Sequence, residues 1–247
     1  MVRPPTLAGM VRHHRATDAA ATLLTAVLSD PAGYDRVLRG KEDSLVGVME
    51  SSELTHDSRS ADEVATPIHC FRRAVLAAAL RRLRPAEATG EYALTGVYAV
   101  LHDAGYKLES LTVDDPMEAA GVNDRAQLAV AESELRYRIN ERWMRRGVTM
   151  WDPERTYVDA GSVLAPDVVI LPGVVLQGRC TIESGAEIGP DCHLVDCVVG
   201  EGAVVSSTHA RHVQIGARSV VGPFAVLERG SVVGDGDTVP PFSNFTA

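Results

Sequence analysis

Residues 158–194 read VDAGSVLAPDVVILPGVVLQGRCTIESGAEIGPDCHL, and an aliphatic residue returns at every sixth position: Val158, Leu164, Ile170, Leu176, Ile182, Ile188 and Leu194. After a break the same frame resumes at Ile215, Val221, Leu227, Val233 and Val239. Neither a helix nor a simple strand has that period. Four residues after each aliphatic stands a second column of mostly small residues, among them Ser162, Val168, Val174, Cys180, Ala186, Cys192, Ser219, Ala225, Ser231 and Ser243; Asp237 alone breaks it. Gly and Pro fill the corners, as in Pro172-Gly173, Gly189-Pro190 and Gly222-Pro223. The pattern predicts a hexapeptide β-helix, a solenoid of short strands in which each turn buries its aliphatics against the next. Three hexapeptides make one triangular coil, so Val158–Asn244 holds about four or five coils, above the roughly three repeats that stability requires. At roughly 1.5–3 kcal/mol per buried aliphatic, the column can hold such a solenoid together. Alternating strands of a sandwich, with period two, would not keep register at six through two runs.

Composition bounds the remainder. The chain is long enough for two domains, and neither a transmembrane run nor a secretory signal stands out, so a soluble cytoplasmic protein is expected. A formal net charge of −9, without a basic stripe carrying interleaved aromatics, argues against nucleic acid or a membrane surface as partner. The four cysteines, Cys70, Cys180, Cys192 and Cys197, lack both paired zinc spacing and a secreted framework. Cys192, His193 and Cys197 leave open an incomplete metal set, against the packing role already given to Cys192.

The first part of the chain reads as alternating helix and strand. Leu7–Arg15 is a helix, Ala19–Leu28 a buried strand, and Tyr34–Arg39 with Leu45–Met49 flank Gly40–Asp43 as a hairpin. Glu63–Phe71 is a strand, Arg72–Leu83 a helix stopped by Pro85, Glu91–Asp103 a second helix closed by Gly105, and Lys107–Val113 a short strand. This is the pattern of an open α/β sheet. From Gly121 to Gly147 runs a long helix with Asn123 or Asp124 as N-cap and a stripe of Leu128, Ala131, Leu135, Ile139 and Trp143. Arg142, Arg145 and Arg146 suit its negative pole. The expected division is therefore 1–120 partial α/β domain, 121–147 connecting helix and 148–247 β-helix.

With that order in view, the chain resembles the bifunctional N-acetylglucosamine-1-phosphate uridylyltransferase and glucosamine-1-phosphate acetyltransferase family, in its actinobacterial form. The stretches that carry the resemblance are His14-Arg15-Ala16, Thr22–Thr25, Asp30–Tyr34, Gly90–Thr95, Gly121–Arg125, Gly147–Thr149 with Asp152-Pro153, and Val221–Phe224. It implies a Rossmann-like nucleotidyltransferase part and a left-handed parallel β-helix, a homotrimer, Mg²⁺, and sugar phosphate or UDP-sugar ligands in a cell-wall precursor pathway. The second of the two steps it implies is attack of a sugar-phosphate oxygen on the α-phosphate of UTP with loss of pyrophosphate, in which catalysis is mostly positioning and charge neutralisation.

Residue by residue the resemblance carries over unevenly. Glu50 falls on the family's sugar-nucleotide contact, and Asn123 on its substrate-binding and metal-coordinating Asn. Asp35 stands where the family has Gly, Ala65 where it has Asn, Pro67 where it has Gly, and Gly96 where it has Asp. A carboxylate at Asp35 would face a phosphate-rich ligand. Glu228 replaces a phosphate-gripping Arg, whose fork geometry suits that group. The resemblance places the family's phosphate loop and metal Asp before Met1, and its catalytic His and coenzyme A groove beyond Ala247. No residue is therefore assigned a catalytic role. His209 and His212, read as lying in an insertion between the two hexapeptide runs, are read as solvated. The sheet, short of its opening strands, is expected to expose unpaired edges and an uncovered apolar face that a partner chain would cover. Phe242 and Phe245 are expected to cap the solenoid or join the trimer interface. The leading expectation is a shortened, degenerate homologue without either complete site. The alternatives are a uridylyltransferase or acetyltransferase completed by a partner chain or an upstream start, and a non-catalytic solenoid scaffold.

Overall fold

The computed structural model describes residues 2–54, 62–85, 90–122 and 124–245. They divide into two compact units, Met1–Gly121 and Val122–Ala247.

The first unit is a mixed sheet. Strands β1 (Ala21–Val27), β2 (Arg36–Arg39), β3 (Leu45–Met49), β4 (Glu63–Phe71) and β5 (Leu108–Thr112) lie in the order β3-β2-β4-β1-β5. Only β1 and β5 run parallel; β4 is antiparallel to β1 and β2. β1 is an interior strand, and Leu23 and Leu24 each have a buried face to point at: all but the last of its seven residues are buried. Pro67 sits inside β4 without breaking it, since the β1–β4 register shifts between Leu23 and Thr25 and leaves Thr66-Pro67-Ile68 opposite Leu24. A bulge is where a strand tolerates a residue that cannot donate to the ladder.

Helix α1 (Pro4–Ala16) lies over one face, where Met10, Leu24, Ala26, Val64, Val113 and Ala119 form a core. Helices α2 (Arg73–Leu80) and α3 (Gly96–Asp103) cover the other, with Leu23, Val37, Ala65, Val97, Tyr98 and Leu101. The uncovered apolar face expected from the sequence is thus absent among the described residues, because α1 and the Val113–Ala119 segment close it. α3 begins at Gly96 rather than Glu91, where burial starts: Tyr92 and Leu94 are exposed, and Val97, Tyr98 and Leu101 are buried.

The second unit opens with α4 (Arg125–Met144), 20 residues and so about 30 Å long. Its cap is Asp124, whose carboxylate accepts from the Gln127 N–H at 2.7 Å. The predicted apolar stripe is only partly used. Leu128 and Leu135 are exposed, Ile139 packs partly, and Trp143 is buried. The C-terminal half is the anchored one. There the Asn140 amide donates to the carbonyls of Pro153 and Thr156 at 2.8 and 2.9 Å, and the guanidinium groups of Arg142 and Arg146 lie over the Trp143 ring.

The rest of the unit is a left-handed parallel β-helix. Its wall consists of three parallel sheets of six, five and six strands, each strand two or three residues long. Inward residues stack in register, as in Ile170, Ile188, Val205, Val221 and Val239 along one sheet. The supposed break after Leu194 is filled by the same ladder. Val199, Val205 and Ala210 are inward and fully buried, and His209–Arg211 is a strand paired with His193–Val195 on one side and Val226–Leu227 on the other. Three of the steps from Leu194 to Ile215 are five residues instead of six, which hid the repeat. No insertion exists, so the reading of His209 and His212 as residues of an excursion loop is corrected: they belong to the wall and its corner.

Corners repeat as strictly as the walls. One column of corner residues, Gly173, Asp191, Ser207, Phe224 and Phe242, adopts positive φ throughout. Just before it, Gly222 has φ +93, and a Cβ there would stand 2.2 Å from the Ser206 carbonyl oxygen, so only glycine fits.

Candidate functional site

The residues that the resemblance singles out in the α/β unit gather at the β2–β4 side of the sheet. Glu50 follows β3 and precedes a short 3₁₀ turn, Ser51–Glu53, whose Glu53 N–H donates to the Glu50 carbonyl at 2.9 Å. Asp35 precedes β2 and its Oδ1 accepts from the Ser51 N–H at 2.9 Å. Its carbonyl accepts from the Ala65 N–H at 2.9 Å. Asp35 and Ala65 are therefore tied to one another through the backbone, and Asp35 is tied to the turn that carries Glu50. Asn123, the other substrate-binding and metal-ligand expectation, lies outside the described residues.

Electrostatically this corner is acidic. The Glu50 carboxyl is held above the usual carboxylate range, first by burial, then by the neighbouring charges of Glu53, Asp35 and Glu91. Like charges disfavour each other's ionised forms. The Ala65 side chain is buried against Leu23 and Val37 and offers no polar atom. Gly96, at the start of α3, likewise has no side chain, and a Cβ would approach Leu83 Cδ2 at 3.1 Å.

A Mg²⁺ ion needs convergent oxygen donors. Among the described residues no group of three or more His, Cys, Asp or Glu side chains could hold a metal ion. Asn123, the expected ligand, lies outside those residues. The alternative set at Cys192, His193 and Cys197 fails for a plain geometric reason. Both cysteines point into the prism and donate to the carbonyls of Val205 and Val195, whereas His193 stands outside and meets the Gln177 amide oxygen at 3.2 Å. Burial pushes both thiols up, away from the thiolate form that binds metal.

On the solenoid, Glu228 is exposed and its N–H donates to the Phe245 carbonyl at 3.0 Å. His209 lies edge-on to His193, with ring centroids 5.8 Å apart, and His212 lies 3.8 Å from the Asp196 carboxylate at a corner. These histidines pair with their coil neighbours, and none is aligned on a nucleophile. Phe242 stacks on Phe224 at 5.2 Å, both exposed; Phe245 stands in register with Leu227 at the last described coil.

One polar cluster escaped the sequence reading. His69 Nδ1 and the Tyr98 hydroxyl are 3.0 Å apart, with Phe71 beside both rings. Burial lowers the His69 pKa and pushes the Tyr98 hydroxyl far up. The only sequence signal would have been alternation, since His69 and Phe71 lie two apart on β4 and share a face.

No helix of the described residues is long and apolar enough to cross a membrane. No protein-family model matches the chain. It is 43% identical over 235 residues to the bifunctional protein GlmU of Desulfitobacterium hafniense, covering 95% of this chain and 52% of that protein. It is 42% identical over 229 residues to the GlmU protein of Mycolicibacterium vanbaalenii (93% and 46%), and 40% identical over 236 residues to that of Pseudarthrobacter chlorophenolicus (96% and 48%). The chain spans about half the length of the curated relatives it matches. Because the similarity runs through both the mixed sheet and the solenoid, this is a GlmU-like chain along nearly its whole length.

Proposed function

We propose that this chain is a divergent homologue in the sugar-nucleotide pathway which, as given, transfers neither a uridylyl nor an acetyl group, and that its solenoid is a trimeric scaffold. The observation that carries this reading is the acidic corner at Glu50. A sugar-nucleotide site must draw in phosphate, yet Asp35, Glu53 and Glu91 crowd Glu50, one of the two retained substrate positions, with like charge, which repels a polyanion. Ala65 and Gly96 contribute no polar side chain, and Glu228 offers a carboxylate where a phosphate-gripping guanidinium would stand. Support for the trimer is one outer wall of the prism, on which exposed Val163, Val198 and Val232 stand in register with Thr181 and Gln214 between them, since an exposed apolar column of this kind suits an interaction face.

The test is pyrophosphate release by the purified chain supplied with UTP, N-acetylglucosamine 1-phosphate and Mg²⁺, beside a GlmU relative as control. No release above the enzyme-free blank, from a folded protein three times the mass of the chain, is the expected result. Release well above the blank would give the lead to the alternative, an active uridylyltransferase that uses Glu50 and Asn123.

A further inference from the structure

Strand β2 carries a buried cation with no ion-pair partner among the described residues. Arg36 is only 3% exposed. It donates from Nη1 to the Tyr34 carbonyl, but its Nε is buried without a partner, and no carboxylate pairs with it among the described residues. Arg39, three residues on, shows the ordinary arrangement, with Glu63 at 2.6 Å. A buried guanidinium without a counter-charge is costly, and native proteins pair such charges.

Beside Arg36 is a cavity of about 400 Å³, walled by the turn Asp30–Gly33, Ser51 and Leu54. It adjoins the turn that carries Glu50 through Ser51, but Arg36 enters it from the other side of the strand. Arg36 is in register with Val64 on β4, and Val64 belongs to the core under α1 with Leu24 and Ala26. Val37 and Ala65 belong to the opposite core. Successive residues of a strand point to opposite faces, so Arg36 and the Ala65 position look away from each other through the sheet.

We propose that this cavity is a binding site for a small phosphate-bearing molecule, anchored by Arg36. With Nη1 engaged by the Tyr34 carbonyl and Nε enclosed, the guanidinium keeps its Nη2 donors uncommitted among the described residues, and a charge-assisted guanidinium–phosphate hydrogen bond is among the strong ones. Ser51 adds a hydroxyl, its N–H being already committed to Asp35. Asp30 also lines the cavity, and its Oδ1 accepts from the Ala32 N–H at 3.2 Å. That carboxylate opposes a fully ionised anion, and favours one presenting a hydroxyl, as monohydrogen phosphate or a hydroxylated phosphate ester does. The proposal is independent of whether the chain transfers uridylyl groups.

Titration calorimetry and thermal unfolding with inorganic phosphate, in a phosphate-free buffer and with acetate in a parallel arm, test it. The chain is expected to bind phosphate saturably and to melt higher in its presence, by mass action on the folded state, while acetate does neither. Arg36→Met should weaken phosphate binding tenfold or more, yet melt no lower than the parent without phosphate, because it removes an uncompensated charge. Ala32→Leu, on the exposed turn, should weaken binding similarly by filling the cavity with Arg36 intact, and covers the case in which Arg36→Met does not fold. Absence of saturable phosphate binding, unchanged binding in both variants, or a lower phosphate-free melting temperature for Arg36→Met would each overturn the proposal. Equal binding of acetate would overturn the assignment to phosphate.

Discussion

The solenoid solves one packing problem and repeats it, whereas the α/β unit solves each contact once. Ile188 meets the equivalent residues of the coils on either side, Ile170 and Val205, and the inward aliphatics of the other interior coils do the same. Nothing equivalent exists in the α/β unit, where Arg39 answers Glu63, His13 answers Glu109, and His69 answers Tyr98. A repeated contact needs only a residue of the right size at the right period. A single contact needs two particular partners.

The largest effects should therefore fall on the prism axis. Ile188 is fully buried, and Ile188→Ala should destabilise the second unit by about 2–4 kcal/mol through the cavity it leaves. Leu38→Ala, half-buried on β2, should cost the first unit roughly 1 kcal/mol. Urea unfolding followed by far-UV circular dichroism measures both, and equal costs would break the contrast. Next comes Asn140→Ala, which strips the carbonyls of Pro153 and Thr156 of their donor. A loss of about 1–3 kcal/mol is expected. It should appear in the same transition as Ile188→Ala, because α4 is anchored to the first coil through Asn140 and Trp143.

Much of this contrast was legible in the chain. The six-residue frame named most of the prism's inward residues, and apolar runs bounded by turn residues placed β1 to β5 within two positions. The misreading at 194–215 has a physical cause. Coils close also with a step of five residues from one inward position to the next, where corner residues such as Asp196 and His212 accept positive φ. A spacing that survives the change was present throughout: a residue of the second column stands two before each inward residue, as Cys197 before Val199, Ala203 before Val205 and Val213 before Ile215. The candidate site was less legible. Position by position, Glu50 and Asp35 could be named, but their shared turn depends on the Asp35–Ser51 hydrogen bond. Nor does any local pattern announce a buried arginine such as Arg36, since arginine ordinarily keeps its charged head in water.

Acid should separate the units further. Burial lowers the pKa of His69 below its ordinary 6.5, so the unfolded chain takes up this proton more readily than the folded one. Stability associated with His69 is thus intact above about pH 6.5 and declines as pH falls through that value. His14 is lowered for the same first reason and acts in the same direction. With Tyr98 held protonated and able to donate, protonation of His69 at Nδ1 would also remove the acceptor. The slope is at most about 1.4 kcal/mol per pH unit for one proton. Unfolding curves between pH 7.5 and 5 measure it, and His69→Gln should flatten the dependence of the first unit. An unchanged slope would assign it to His14 instead.

The smallest expected effect bears most directly on function. Glu50 has a raised pKa, so the folded state binds its proton more readily than the unfolded state, and the charged form works against folding at neutral pH. Stability contributed at this position rises as pH falls through the raised pKa, the reverse of His69. Glu50→Gln should therefore stabilise the first unit at pH 7, by roughly 0.5 kcal/mol or less, the scale of charge effects at a partly exposed site. Raising the salt concentration should shrink the gain, since screening relieves the repulsion that the substitution removes. A carboxylate retained to hold a sugar nucleotide would show the opposite balance, with little gain in stability and a loss of ligand binding. Measured side by side, the two readouts decide whether the acidic corner is a relic of a site or a site in use.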